Sequence, residues 1–216
     1  MCFSAEASFI VSGALSIIGI SAIRQVKTRK DIFVASIPLI FALQQFTEGL
    51  LWITLQNPDI THIQTSDWLA GLYGVFIGVI WPVYAPFAIF REETDSQTKR
   101  VVASMLLAGV GLATYTIIGM IHEPIVASII NHSIHYAHKV EGQEIVLGMY
   151  LFATCAPFIL SSKKLLNLTG MIITLGFFAA FFFYQQTFAS VWCFFAAMAS
   201  GLIYFYVRKS ENFKIN

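Results

Sequence analysis

Charge is what this sequence has least of. Asp, Glu, Lys and Arg make up 12% of its 216 residues, about half the share usual in a soluble domain. So few charges cannot clothe a soluble surface. A basic excess is missing too. Thirteen Lys and Arg against twelve Asp and Glu leave a formal charge of +1, which gives nucleic acid no counterion-release drive and excludes it as a partner. Cysteine is scarce, with Cys2, Cys155 and Cys193 only; a Cys2–Cys193 disulfide would leave Cys155 over. No basic n-region with a small-residue cleavage site opens the chain, so no cleavable leader is expected. What fills the space left by charge is apolar: 57% hydrophobic residues and a mean hydropathy of +0.72. That content excludes disorder and points to an integral membrane protein whose first partner is the lipid bilayer.

A spanning helix needs about 20 mostly apolar residues. Seven stretches qualify, near 4–23, 32–55, 67–90, 101–121, 144–161, 165–184 and 188–207. They are continuous apolar runs without period-2 alternation, which argues against a strand barrel. Ser161, Ser162, Lys163 and Lys164 form the polar turn between the fifth and the sixth. The expected architecture is an all-α transmembrane bundle of seven helices in a single domain, residues 1–216. Twelve of the thirteen basic residues fall on one side of it: Arg24, Lys27, Arg29, Lys30, Arg91, Lys99, Arg100, Lys163, Lys164, Arg208, Lys209 and Lys214. Only Lys139 lies on the other. The positive-inside rule then puts the N-terminus out and the C-terminus in, which suits a multi-pass protein of the plasma membrane. Ala85-Pro86-Phe87 recurs as Ala156-Pro157-Phe158, slight grounds for a duplicated unit.

Ionisable groups inside spans are costly and mark function by default. Glu48 is the sharpest, about 10 Å from the outer end of the second span at 1.5 Å per residue. Gln44 and Gln45 precede it by four and three residues, and Trp52 follows by four. The spacing makes one polar helix face, which must turn into the bundle because lipid offers no hydrogen bonds. The face suits binding of a proton, a cation or a small polar solute; helix–helix glue is the competing reading. Glu6 lies in the first turn of the first span after Ser4, where the helix dipole favours an acid. It sits at the same outward depth as Glu48, so two carboxyls are set to bind a cation or share a proton. Cys2, one turn earlier, becomes the N-terminus if Met1 is removed. It then offers a nucleophile with its own amine as base, or a thiolate ligand for metal. A small residue at a helix start is the plain alternative.

All five histidines, His62, His122, His132, His135 and His138, fall in outward connections. The run 131–138 spaces three of them by three residues and follows the β-branched stretch 125–130. A hairpin turning at Asn131-His132-Ser133 is expected, capping the outer mouth. His132, His135 and His138, with His122, are candidate ligands for a divalent metal such as zinc or copper; a polar surface is the alternative. Pro38, Pro82, Pro86 and Pro157 interrupt spans, and the pair Pro82 and Pro86 should kink the third. Trp52, Trp68 and Trp192 suit an outer aromatic belt, with Trp52 alternatively lining a pocket.

The opening Met1-Cys2-Phe3-Ser4-Ala5-Glu6-Ala7-Ser8-Phe9, together with Gln44-Gln45-Phe46-Thr47-Glu48-Gly49 and Trp52, resembles a family of small bacterial and archaeal polytopic membrane proteins with no assigned function. The resemblance implies that Cys2, Glu6, Gln45 and Glu48 belong to one site and supplies no substrate. Two other seven-helix families differ. Microbial rhodopsins hold retinal on a Lys of the seventh span, and 188–207 contains none, so no retinal is expected. Membrane hydrolases of the alkaline ceramidase type ligate zinc with intramembrane histidines, and no span here has one. Three readings stay open: a small transporter or solute-binding protein built on Glu48, Gln44, Gln45 and Glu6; a membrane enzyme using Cys2 or a metal, with Glu48 or Glu6 as acid or base; and a sensor or assembly factor.

Overall fold

The computed structural model describes residues 4–57, 60–138 and 142–212. Among them, seven helical segments are long and apolar enough to cross a membrane: Ala5–Arg24, Asp31–Gln56, Ile63–Glu92, Ser96–His122, Gln143–Leu160, Lys164–Phe183 and Gln185–Lys209. The architecture is all-α with one small hairpin. The spans are built from α1 (Ala5–Arg24), α2 (Asp31–Ala35), α3 (Ile37–Gln56), α4 (Ile60–Val75), α5 (Trp81–Glu92), α6 (Ser96–His122), α7 (Gln143–Thr154), α8 (Ala156–Leu160), α9 (Lys164–Phe183), α10 (Phe188–Ser200) and α11 (Leu202–Asn212). The fourth span starts five residues earlier than hydropathy alone places it. Asp95 caps it, its carboxylate accepting the Thr98 N–H at 2.7 Å, and so draws Lys99 and Arg100 into the first turns.

Prolines and glycines explain how the helices break and touch. Between α4 and α5 runs a π-helical stretch, Phe76–Ile80, and the Trp81 N–H bonds to the Phe76 carbonyl five residues back. Pro82 follows and has no N–H to continue the α ladder. Pro86 in turn leaves the Pro82 carbonyl without its usual helical donor. That oxygen faces Gly109 of α6, where a Cβ would lie only 1.8 Å away. Glycine alone allows this approach, as small residues do at membrane helix crossings. Pro157 similarly separates α8 from α7, at Cys155.

The packing is inverted relative to a soluble protein. On α1 the buried positions are Ser8, Ser12, Leu15, Gly19 and Ala22, while Ile10 and Ile17 are exposed. Small and hydroxylated residues let α1 lie close on α3: a Cβ at Gly19 would meet the Leu39 backbone at 2.9 Å, and Ser12 Oγ donates to the Ala42 carbonyl at 2.8 Å. Exposed Leu107, Leu175, Phe182 and Phe183 continue the apolar outer surface, which suits a bilayer.

The hairpin pairs β1 (Val126–Ile130) with β2 (Ser133–Ala137), antiparallel, with Ile130 opposite Ser133. Its turn is two residues long, Asn131 and His132, both at positive φ (47° and 57°). That conformation matches the twist of a tight hairpin, and the turn is one residue shorter than expected because Ser133 already pairs in β2. Ala127, Ile134 and Tyr136 share the inner face. Ala127 and Ile134 pack on Leu51, Trp52 and Ala70. Tyr136 stacks on Tyr73 of α4, ring centroids 4.4 Å apart. His135 Nδ1 meets the Gln186 carbonyl in the short turn before α10.

Candidate functional site

Two features share α10: a cavity that the hairpin helps to wall and a sealed polar cluster.

The cluster centres on Glu48. Helical spacing on α3 puts Gln44, Gln45 and Glu48 on the buried face, all three with no solvent exposure. Ser190 of α10 donates to Glu48 Oε1 at 2.5 Å. Gln45 Nε2 donates to Glu48 Oε2 at 3.2 Å. The Trp81 indole of α5 donates to Gln44 Oε1 at 2.6 Å. Because an indole N–H can only donate, this bond orients the Gln44 amide and turns its NH2 away. Cys193 of α10 lies beside Gln44 and Tyr73. Side chains from α3, α4, α5 and α10 thus meet around one carboxyl. Gln44 Nε2, Gln45 Oε1 and Ser8 Oγ find no hydrogen-bond partner among the described residues.

The cavity has a volume of about 650 Å³, within the range of small-molecule sites. The π-helical stretch, α6, α7, the start of α10 and the hairpin wall it. Ile77, Leu112, Leu147, Phe188 and Trp192 supply apolar surface, and His135, His138, Glu123, Gln143, Gln185 and Gln186 supply polar groups. Trp192 also lines a second void of about 30 Å³, whose wall includes Thr154, Thr169 and Ser200. That space suffices for a water molecule. Trp192 therefore lines both spaces, held by its indole N–H on the Ile173 carbonyl at 3.2 Å.

The structure brings only some of the expected site residues together. Glu48, Gln44 and Gln45 converge, but none of them lines the cavity. Glu6 is exposed on the first turn of α1 with Ser4 as its hydrogen-bonding neighbour. The sealed Glu48 and the open Glu6 do not share one solvent-excluded pocket. Cys2 lies outside the described residues. Trp52 is buried, 3% exposed, under the hairpin, and Trp192 is buried at 4%, while Trp68 is 80% exposed. The belt reading is thus corrected for Trp52 and Trp192, which pack inside because neighbouring helices and the hairpin cover them. His122 and His132 are exposed, whereas His135 and His138 line the cavity. Among the described residues no three His, Cys, Asp or Glu side chains gather as a metal-holding group.

Several residues were not singled out from the sequence. Ser190, Trp81 and Tyr73 complete the Glu48 cluster, and Tyr150 lines the cavity. Ser190 and Cys193, three apart in an apolar helix, are the faint signal of a polar face. At the opposite end, Tyr206 of α11 donates to Glu92. Glu93 accepts the Ser162 N–H at 3.0 Å and the Ser162 hydroxyl at 2.7 Å. It also accepts the N–H groups of Thr94 and Asp95. These donors outweigh burial, which acts in the other direction, and hold the Glu93 carboxyl below its ordinary pKa. The two carboxylates close the basic end rather than forming a pocket.

No curated protein and no solved structure matches the chain. A family model described as "Family of unknown function (DUF6629)" matches residues 1–215, and the chain belongs to that family.

Proposed function

We propose that this protein is a solute-binding protein of the plasma membrane, built like a small transporter, which takes its ligand into the hairpin-capped cavity from outside. Residues 1–216 act as one domain, with the hairpin outside and the basic end in the cytoplasm. The positive-inside distribution supports that orientation. The observation that carries the reading is the 650 Å³ cavity that the hairpin helps to wall and that shares Trp192 with a smaller void. A ligand in the cavity meets this side chain.

The Glu48 cluster belongs to the same device, joined to it through α10. α10 turns Phe188, Ala189 and Trp192 to the cavity and Ser190 to Glu48. Any ligand that shifts α10 loads the Ser190–Glu48 bond. Glu48, Gln44 and Gln45 are then the groups that sense occupancy or take up a proton or cation exposed by the shift. Trp52 anchors the hairpin. Glu6, at the N-terminal end of α1, serves as a surface carboxylate of the entrance rather than of the interior.

Ligand-dependent unfolding tests the reading. Purified protein is heated with glucose, glycine betaine, sodium, potassium or short-chain alcohols. At least one should raise the midpoint with concentration, as ligand linkage requires, and the rise should vanish when Ala189→Phe fills the cavity. Equal midpoints for both proteins under every solute would overturn the binding role.

A further inference from the structure

The first and the seventh span lie side by side and run in the same direction toward the basic end. A Cβ at Gly201, just before α11, would lie 3.8 Å from Ile18 of α1. From that contact Arg24 is six residues further along α1 and Arg208 seven further along α11, about 9 Å and about 10 Å at 1.5 Å per residue. The two guanidinium groups therefore start from one level, where both spans end. Arg24, Arg208 and Lys209 are all exposed. Toward the middle of the bilayer each helix continues with an exposed apolar side chain. Ile17 stands two turns before Arg24 on the same face of α1, and Phe205 one turn before Lys209 on α11. The described acids at this end are turned elsewhere. Glu92 takes the Tyr206 O–H on the buried side of α11, with Asp31 and Lys30 beside it. Glu93 holds Ser162, and Asp95 caps α6. Two adjacent helices thus carry the same pattern at the same depth: cations at the membrane edge over an apolar strip. Long basic side chains at span ends reach the headgroup layer in this way. Guanidinium groups pair with phosphate by charge-assisted hydrogen bonds. A free phosphate would use the cations and leave the strip uncovered, whereas a phospholipid uses both.

We propose that the α1–α11 edge binds one anionic phospholipid, its phosphate between Arg24 and Arg208 with Lys209 at the rim, and an acyl chain along Ile17 and Phe205. Anionic lipids are concentrated in the cytoplasmic leaflet, which the orientation proposed above places at this end. The inference is independent of the cavity and of what the cavity takes.

Native mass spectrometry of the full chain in a neutral detergent counts retained lipids and yields a binding constant for each. Phosphatidylglycerol and phosphatidylcholine with identical acyl chains are compared with glycerol phosphate, which keeps the anionic group and lacks the chains. Phosphatidylglycerol should bind as one tight copy, about tenfold tighter than phosphatidylcholine, given the worth of each cation near an anionic headgroup. Arg24→Gln combined with Arg208→Gln should weaken it about tenfold, to the phosphatidylcholine level. Both side chains are exposed, so the fold is kept. Arg91→Gln combined with Arg100→Gln removes the same charge from the ends of α5 and α6. It should change the constant by less than about twofold, because salt screens charges that do not touch the lipid. An equal loss from the Arg91 and Arg100 pair overturns the location, since the charge of the whole basic end would then be responsible. Phosphatidylglycerol held no tighter than phosphatidylcholine overturns the ligand class. Glycerol phosphate bound as tightly as phosphatidylglycerol overturns a lipid as the source. Polyglutamate that displaces phosphatidylglycerol and is itself lost with Arg24 and Arg208 overturns the membrane in favour of an acidic protein. The solute panel with Ala189→Phe decides the cavity reading separately.

Discussion

The Ser190 hydroxyl lies 2.5 Å from a carboxyl oxygen of Glu48 and joins α10 to α3 across 142 positions of sequence. Both groups are fully buried, so each supplies what the other lost on leaving water. Removing the donor takes a hydrogen bond from a buried carboxyl, at a cost of about 1–3 kcal/mol. Ser190→Ala should lower stability by that amount, and Glu48→Ala by at least as much. A double-mutant cycle read from denaturant titration in detergent should return a coupling of roughly 0.5–3 kcal/mol. Additive losses would mean the two side chains act independently.

The α5–α6 crossing predicts a contrast within one helix. A Cβ at Gly109 would sit 1.8 Å from the Pro82 carbonyl oxygen, whereas a Cβ at Gly111 meets nothing within 4 Å. The obstacle at Gly109 is backbone and cannot swing aside. Gly109→Ala should force the helices apart and sharply reduce the yield of folded protein, while Gly111→Ala should express and unfold like wild type. Size-exclusion profiles of the two variants check this.

Glu93 ties the turn after α5 to the turn before α9 through Ser162. Its carboxyl is held below the ordinary value of 4.5. A depressed carboxyl contributes stability that is fully present above the unfolded pKa and disappears as pH falls through the folded one. Unfolding midpoints of the wild type should therefore drop as pH passes below about 4.5. Glu93→Gln should start lower at neutral pH and show less of that acid-induced drop. Parallel pH curves for the two proteins would contradict this.

The hairpin is held by the Tyr73–Tyr136 stack, the Trp52 contacts and His135 on the Gln186 carbonyl. A stacked aromatic pair contributes about 0.5–1.5 kcal/mol beyond its burial. Tyr136→Ala should loosen residues 126–137 without unfolding the bundle. Hydrogen exchange should then rise about three- to tenfold in the hairpin and stay unchanged in α9.

Much of the architecture was written in hydropathy. Seven long apolar runs are self-announcing, because each span must satisfy its own backbone and stay apolar for about 20 residues. The hairpin showed itself through the β-branched stretch 125–130 and the turn at Asn131. Glu48, Gln44 and Gln45 were legible because a polar stripe stands out on an apolar helix. Their partners were not. Ser190, Trp81 and Tyr73 come from other helices, and within uniformly apolar segments the face of a helix that meets a neighbour leaves little trace in periodicity. For the same reason Trp52 and Trp192 read as belt residues, although both are buried. The cavity was invisible from sequence, since it is a gap left between five elements rather than a property of any one.

The central claim is that the space beneath the hairpin opens outward as a binding site, and thiol accessibility tests it most directly. With Cys2→Ser as background, Val146→Cys places a thiol on the cavity wall and Gln97→Cys places one at the exposed basic end. Intact cells are treated with a membrane-impermeant maleimide. The account predicts labelling at position 146 on intact cells and at position 97 only after the membrane is opened. Labelling at position 97 on intact cells, with position 146 silent, would contradict it.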